Sequence, residues 1–303
     1  MNYETFKNTL VPMIQTTLGE DAKVNLQCIP QNNGIRWDGL SIMKEGEKIA
    51  PTIYLDDLYG RYENGKTMEE ILKFILESYE NRCDLTDLSV NEFEDFEKVK
   101  ESIYYKLVNY QWNEELLKNV PHVKYLDLAM VFYYRLESSV LEGATVLIHK
   151  GTMKLWNITM EELCRAAENN TPQKLPYTFQ GMEALLNQMI LEEGEETEVK
   201  EILTESPHKN EIMYVLTNRD KYFGAACILY PHVLKHISVL VGGSFYILPS
   251  SIHECILVPD SGQYSSVELI EMVTEINTSQ VEPVEVLSNN VYFYDKEKDI
   301  IHM

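Results

Sequence analysis

Phe245-Tyr-Ile-Leu-Pro-Ser-Ser-Ile-His-Glu-Cys-Ile-Leu-Val-Pro-Asp260 holds two apolar runs, Phe245–Leu248 and Ile256–Val258, on either side of a polar patch. The runs predict two strands, and Pro249 with the polar residues predicts a tight link between them. The patch is Ser250, Ser251, His253 and Glu254, which supply the atom types of a nucleophile, a base and an orienting carboxylate. Two readings stand side by side. In one, the hydroxyls bond the backbone of a turn. In the other, Ser251, His253 and Glu254 form the site of a hydrolase or transferase. In an extended chain Ser251 and His253 would share one face, and Ser250, Ile252 and Glu254 the other. A GxSxG elbow is absent.

Working outward, Ile212–Leu216 and Ala225–Leu229 read as strands, and His232–Val241 as a helix ended by Gly242-Gly243. Ser265-x-x-Glu268 opens a helix, and Val291–Tyr294 with Ile300–Met303 closes the chain as a hairpin. Upstream, Asp127–Arg135 is apolar on both alternating faces, as a central strand must be. It pairs with Ala144–His149 across Glu142-Gly143. Thr159-Met-Glu-Glu162 is a capping box for a helix to about Glu168, with Pro172 and Pro176 at its exit. Tyr104–Val108 is a strand and Trp112–Leu117 a helix.

The N-terminal part reads as a helix over 3–18, a hairpin of Val24–Ile29 and Ile35–Met43, and a third strand, Ile49–Leu55, pushed toward an edge by Pro51. Helical turns follow at Asp56–Tyr62. A Thr67/Glu70 capping box starts a helix to Tyr79 that buries Ile71, Phe74 and Ile75, and Ser89-x-x-Glu92 starts another to about Ile103. Links this short join antiparallel neighbours. The expected fold is α+β, with mixed or largely antiparallel sheets and flanking helices. The expected subdomains are 1–120 and 121–303, with an acidic linker-like segment at 191–209. The order of elements over 122–180 and 211–280 is compatible with a degenerate duplication in the C-terminal two thirds.

The chain carries 26 Lys and Arg against 48 Asp and Glu, a formal charge of −22 spread over its whole length. Phosphate backbones and anionic lipid both demand clustered cations, so nucleic acid and membrane surfaces are poor partners. The five cysteines, Cys28, Cys83, Cys164, Cys227 and Cys255, form no CxxC pair and read as reduced thiols of a cytoplasmic protein. The first residues show no signal pattern, and no apolar run approaches the ~20 residues of a membrane span. His232 and His236 stand one helical turn apart without the acid of an HExxH motif. His122, His149, His208 and His302 lack neighbouring ligands, so no metal is expected. No glycine loop precedes a helix as a nucleotide cofactor would require, so no cofactor is expected either.

Tyr214-Val-Leu-Thr-Asn218, Gly224-Ala225, Ile247-Leu-Pro-Ser-Ser-Ile-His-Glu254 and Leu287-Ser-Asn-Asn-Val-Tyr-Phe-Tyr-Asp295 resemble an uncharacterised bacterial family of unknown function, common in anaerobic gut Firmicutes. Ala50-Pro-Thr-Ile-Tyr-Leu-Asp56 and the segment around Asp127–Arg135 fit the same family. The resemblance implies a cytoplasmic bacterial protein and carries over no activity. The expected function is non-enzymatic binding of a macromolecule, a protein with a basic surface, by an acidic exterior. The alternative is the hydrolase or transferase centred on Ser251, His253 and Glu254.

Overall fold

The computed structural model describes residues 1–44, 52–80, 93–136, 145–185 and 212–303. The chain forms two compact units, Met1–Val99 and Lys100–Met303. The expected 120/121 boundary falls later than this one. The reason is that strand Ile103–Asn109 pairs along its whole length with Leu128–Arg135 and so belongs to the second unit.

In the first unit, helix α1 (Tyr3–Leu18) is capped by the Asn2 side chain, which accepts the Thr5 N–H. It lies against the meander β1 (Ala22–Pro30), β2 (Arg36–Lys44) and β3 (Thr52–Tyr54), paired in that order and antiparallel. The β1–β2 link turns through Asn33 and Gly34, at φ 60° and 72°. Gly39 is required where β2 passes between its neighbours, since a Cβ there would lie 2.3 Å from Ile29 Cδ1. Helices α2 (Leu55–Glu63) and α3 (Met68–Glu80) follow. Phe6, Leu10 and Ile14 recur at helical spacing and meet Leu40, Leu55, Leu58, Ile71 and Ile75 in one core. The Thr67/Glu70 capping box is formed. Phe74 is not in the core as expected. It is 38% exposed and lies under the Arg61 guanidinium. The helix expected to reach about Ile103 runs as an α-helix over Phe96–Val99 and as a 3-10 turn over Lys100–Ser102, and Ile103 begins a strand.

The second unit contains two sheets. One has the order β4 (Ile103–Asn109), β6 (Leu128–Arg135), β5 (His122–Tyr125), with β7 (Thr145–Leu147) also on β6. Leu128–Tyr133 are buried on both faces, as the sequence required of a central strand. Helices α4 (Lys150–Trp156) and α5 (Met160–Lys174) follow. Helix α5 runs through Pro172 instead of ending near Glu168. Pro172 forgoes the hydrogen bond to the Glu168 carbonyl in the last turn, and that turn is tied to β4 by the Thr171 hydroxyl, which donates to Ala167 O while accepting the Tyr105 N–H.

The second sheet has the order β13 (Ile300–His302), β12 (Tyr292–Asp295), β10 (Phe245–Leu248), β11 (Cys255–Pro259), β9 (Tyr214–Asn218), β8 (Tyr177–Gly181). Helices α6 (Val233–Leu240) and α7 (Ser266–Ser279) belong to this part of the chain. Every pairing among the described strands is antiparallel, and the fold is α+β. The duplication does not materialise: β5, β6 and β7 build one sheet while β8 joins the other. Ala225–Leu229, expected as a strand, lies in the 3-10 helix Gly224–Leu229, because a short apolar run does not by itself distinguish a buried strand from a buried helical turn. The helix expected over Trp112–Leu117 spans only Glu114–Leu117. Segment 191–209, Ser89-x-x-Glu92, Glu142-Gly143, Cys83 and His208 lie outside the described residues.

The Asp127 carboxylate links the two sheets. Asp127, in the β5–β6 turn beside Leu126 at φ 54°, accepts hydrogen bonds from Ser288 Oγ (2.6 Å), Asn290 Nδ2 (2.9 Å) and Tyr292 OH (2.5 Å). Asn109 Nδ2 reinforces the junction by donating to Leu287 O at 3.1 Å. Burial, and then the Asp127 charge, hold the Tyr292 phenol strongly protonated. Asp127→Ala strands three donors, one of them on the fully buried Ser288. At about 1–3 kcal/mol for a stranded buried group, it is expected to cost more than Thr159→Ala at the exposed α5 cap. Urea denaturation of the two variants, compared by midpoint at equal slope, checks this.

Candidate functional site

The link Pro249–Glu254 runs from β10 to β11 and zips onto residues 285–288. Ser288 N–H donates to Pro249 O, Leu287 N–H to Ser250 O, and Ile252 N–H to Glu285 O, at 3.0, 3.0 and 2.8 Å. Ser251 forms an isolated bridge with Val286. Ser250 and Ser251 are buried. The Ser251 hydroxyl oxygen accepts the backbone N–H of His253 at 3.0 Å, and Ser250 contributes its carbonyl to the pairing. Backbone groups that a strand ladder cannot use are satisfied in this way.

His253 lies at the end of the link. Its carbonyl accepts from Thr217 Oγ1 at 2.7 Å. Its ring Nδ1 accepts the Phe223 N–H at 3.2 Å, which places the ring proton on Nε2. Nε2 in turn stands 3.4 Å from Glu285 Oε1. With Nδ1 occupied and Nε2 protonated, the neutral ring has no lone pair free to take a serine proton. The carboxylate facing His253 is Glu285, 32 residues along the chain, and no hydrogen bond or ion pair joins Glu254 to it among the described residues. Of the four candidate residues, the fold therefore brings Ser251 and His253 together through backbone, and leaves Glu254 apart.

The other wall is aromatic. Phe223 takes a left-handed backbone, φ 56°, and its ring stacks on the His253 imidazole (11° between planes, 5.7 Å between centroids). Tyr222 and Tyr133 flank it at 4.0 and 5.2 Å. An aromatic residue in that region costs about 1–2 kcal/mol, and the Phe223 N–H bond to His253 and the ring contacts hold it there. Gly224 follows where no other residue fits: a Cβ would meet Thr217 Oγ1 at 2.1 Å and both Asn218 N and His253 O at 2.6 Å.

Lys106, on β4, places its ammonium 4.0 Å above the Phe223 centroid. It has no carboxylate partner among the described residues, and burial pushes its pKa down to about 8. The sequence offered no signal for Glu285, Phe223 or Lys106, which lie far from the serines in the chain. The Asp127 junction did carry one: an acid opening an apolar strand, and a Ser-Asn-Asn run of donors ahead of Tyr292.

The remaining candidates are dispersed. His232 is not in a helix but at the α6 N-cap with φ 66°, so the spacing to His236 is not that of one helical face. The His236 ring bonds Tyr177 OH at 2.7 Å. His122 bonds its own neighbourhood through Val120 O. Among the described residues no group of three His, Cys, Asp or Glu could hold a metal ion. Cys28, Cys164, Cys227 and Cys255 are unpaired, and burial raises the Cys227 thiol to about 12.

The model of a family of unknown function, DUF5688, matches residues 3–296. The chain belongs to this family. No curated protein and no solved structure matches it. The Pro249–Glu254 link and Asp127 both lie inside the matched region.

Three sets of variants have expected outcomes. Ser251→Ala should lower the midpoint of thermal unfolding by the equivalent of about 1 kcal/mol, and Ser250→Ala by less, since only the first loses a side-chain acceptor. Gly224→Ala should cost 1–3 kcal/mol or more by overpacking. Lys106→Met should stabilise the protein at pH 7 by about 1–2 kcal/mol, since each unit of pKa depression is worth 1.36 kcal/mol and the ring contact offsets part of it. The sign follows from a base whose folded pKa lies below its unfolded one. Its charged form is penalised in the fold below pH 8, and the penalty disappears as pH rises from about 8 toward 10.5. Melts at pH 7 and pH 10 should show the advantage of the variant shrinking.

Proposed function

We propose that this chain is a non-enzymatic, cytoplasmic bacterial protein that binds a protein with a basic surface through its acidic exterior. The carrying observation is the distribution of charge. Residues 236–295 contain eight Asp or Glu and no Lys or Arg. They supply β10, β11, α7 and β12. Helix α7 buries Leu269 and Val273 and leaves Val267 and Ile270 exposed at 62% and 41%. Glu271 and Glu275 are exposed on the same helix, which has no basic residue. Exposed apolar side chains beside carboxylates, with no cation on the same helix, suit a partner of opposite charge. The occupied ring nitrogens of His253 and the backbone-bound Ser251 hydroxyl favour this reading over a hydrolase or transferase.

The test has three arms. Immobilised protein should retain a basic partner from a lysate of its own cells, and Glu271→Lys/Glu275→Lys should release it. These two positions are chosen because Glu268 caps the helix and must stay. A fluorophosphonate probe should leave Ser250 and Ser251 unlabelled, and stoichiometric labelling of either would establish the enzyme reading instead. Duplex DNA at ~0.15 M salt should not bind, since a net charge of −22 opposes its approach.

A further inference from the structure

A pocket of about 370 Å³ opens in the second unit, on a side of the sheet remote in sequence from the α7 surface. Its floor is one face of the four-stranded sheet, where Tyr105, Met130 and Tyr125 project from β4, β6 and β5. Leu229 and Pro231 form the opposite side, held close by Tyr230, whose ring packs edge-on against Tyr105 and whose hydroxyl donates to Leu175 O. The volume lies at the lower end of small-ligand sites. The one charged group lining it is Glu168 of α5, which is exposed and makes no ion pair among the described residues. Its charge reaches inward: after burial and the Cys227 thiol, Glu168 is what raises the pKa of Tyr105. Pro172 removes the N–H that would have bonded the Glu168 carbonyl, so a second acceptor on the same residue is without its helical partner.

These walls select by chemistry. Apolar and aromatic surface cannot solvate an anion, and a neutral apolar group would leave the carboxylate unanswered. A group with a methylene stem and a positive tip satisfies both, since the stem covers Met130 and Leu229 while the tip meets Glu168. We propose that this pocket binds an alkylammonium group, presented as a lysine side chain of the basic protein partner. The proposal rests on the reading given under the proposed function and names where one side chain of that partner would seat.

The probe is a capped pentapeptide, acetyl-Gly-Gly-Lys-Gly-Gly-amide, titrated into the full chain by calorimetry beside the same peptide with norleucine in place of lysine, and beside n-butylammonium. The lysine peptide should bind, the norleucine peptide should bind at least about tenfold more weakly, and Glu168→Gln should abolish that difference. Equal binding of the two peptides, or a lysine preference that survives Glu168→Gln, would overturn the pocket assignment. Binding of n-butylammonium without the lysine peptide would overturn the assignment to a partner side chain. Glu271→Lys/Glu275→Lys serves as the control that separates the two proposals. If it alone abolishes peptide binding, the pocket inference fails while the acidic surface stands. If the lysine peptide binds through Glu168 and no basic protein is retained from the lysate, the alkylammonium pocket stands, while the assignment to a partner's lysine and the broader reading both fail.

Discussion

Three donors converge on one carboxylate at Asp127, and the second unit is arranged around that convergence. Two antiparallel sheets in one unit need a junction whose polar atoms are satisfied once water is removed. Backbone pairing cannot supply it, because the strands of the two sheets do not share a ladder. Asp127 accepts from Ser288, Asn290 and Tyr292, while Asn109 reaches Leu287. This fixes the path of residues 287–292. That same stretch begins where Leu287 and Ser288 zip onto Pro249 and Ser250. The arch that carries His253 is therefore held by a chain of contacts that starts at Asp127.

The arch itself shows how polar residues can look catalytic and be occupied otherwise. A serine, a histidine and a carboxylate do meet near β11. The hydroxyl oxygen faces a backbone N–H, the imidazole receives another from Phe223, and the carboxylate is Glu285. A hydrogen bond to Nδ1 from a backbone donor is a constraint on tautomer, and tautomer decides whether an imidazole can act as a base. Here the protein spends the ring's basic nitrogen on holding Phe223 in a left-handed conformation, and the bend at Gly224 follows from it.

What was legible in the sequence was mostly local. Capping boxes at Thr67, Thr159 and Ser265 involve residues three apart, and all three form. The burial of β6 on both faces was readable because the apolar pattern runs unbroken for six residues. Ala225–Leu229 reads as a strand and lies in a 3-10 helix, because an apolar run of that length fits a strand and a helical turn equally. Pro172 reads as an exit, yet it sits in the last turn of α5, where the long-range contact of Thr171 with Tyr105 leaves no trace in the local sequence. In the candidate site, Ser251 and His253 were visible, being neighbours. Glu285, Phe223 and Lys106 were not, since contacts between residues 30 or more apart leave no spacing to read.

The charge pattern over 236–295 has a consequence outside binding. With no lysine or arginine between Lys235 and Lys296, trypsin has no cleavage site anywhere in β10, the arch, β11 or α7. The region holding both serines and His253 would leave a digest as one long acidic peptide. Enzymes that acetylate, methylate or ubiquitinate lysine likewise find no acceptor there. Covalent control of that face would have to act on its serines, threonines, tyrosines or carboxylates.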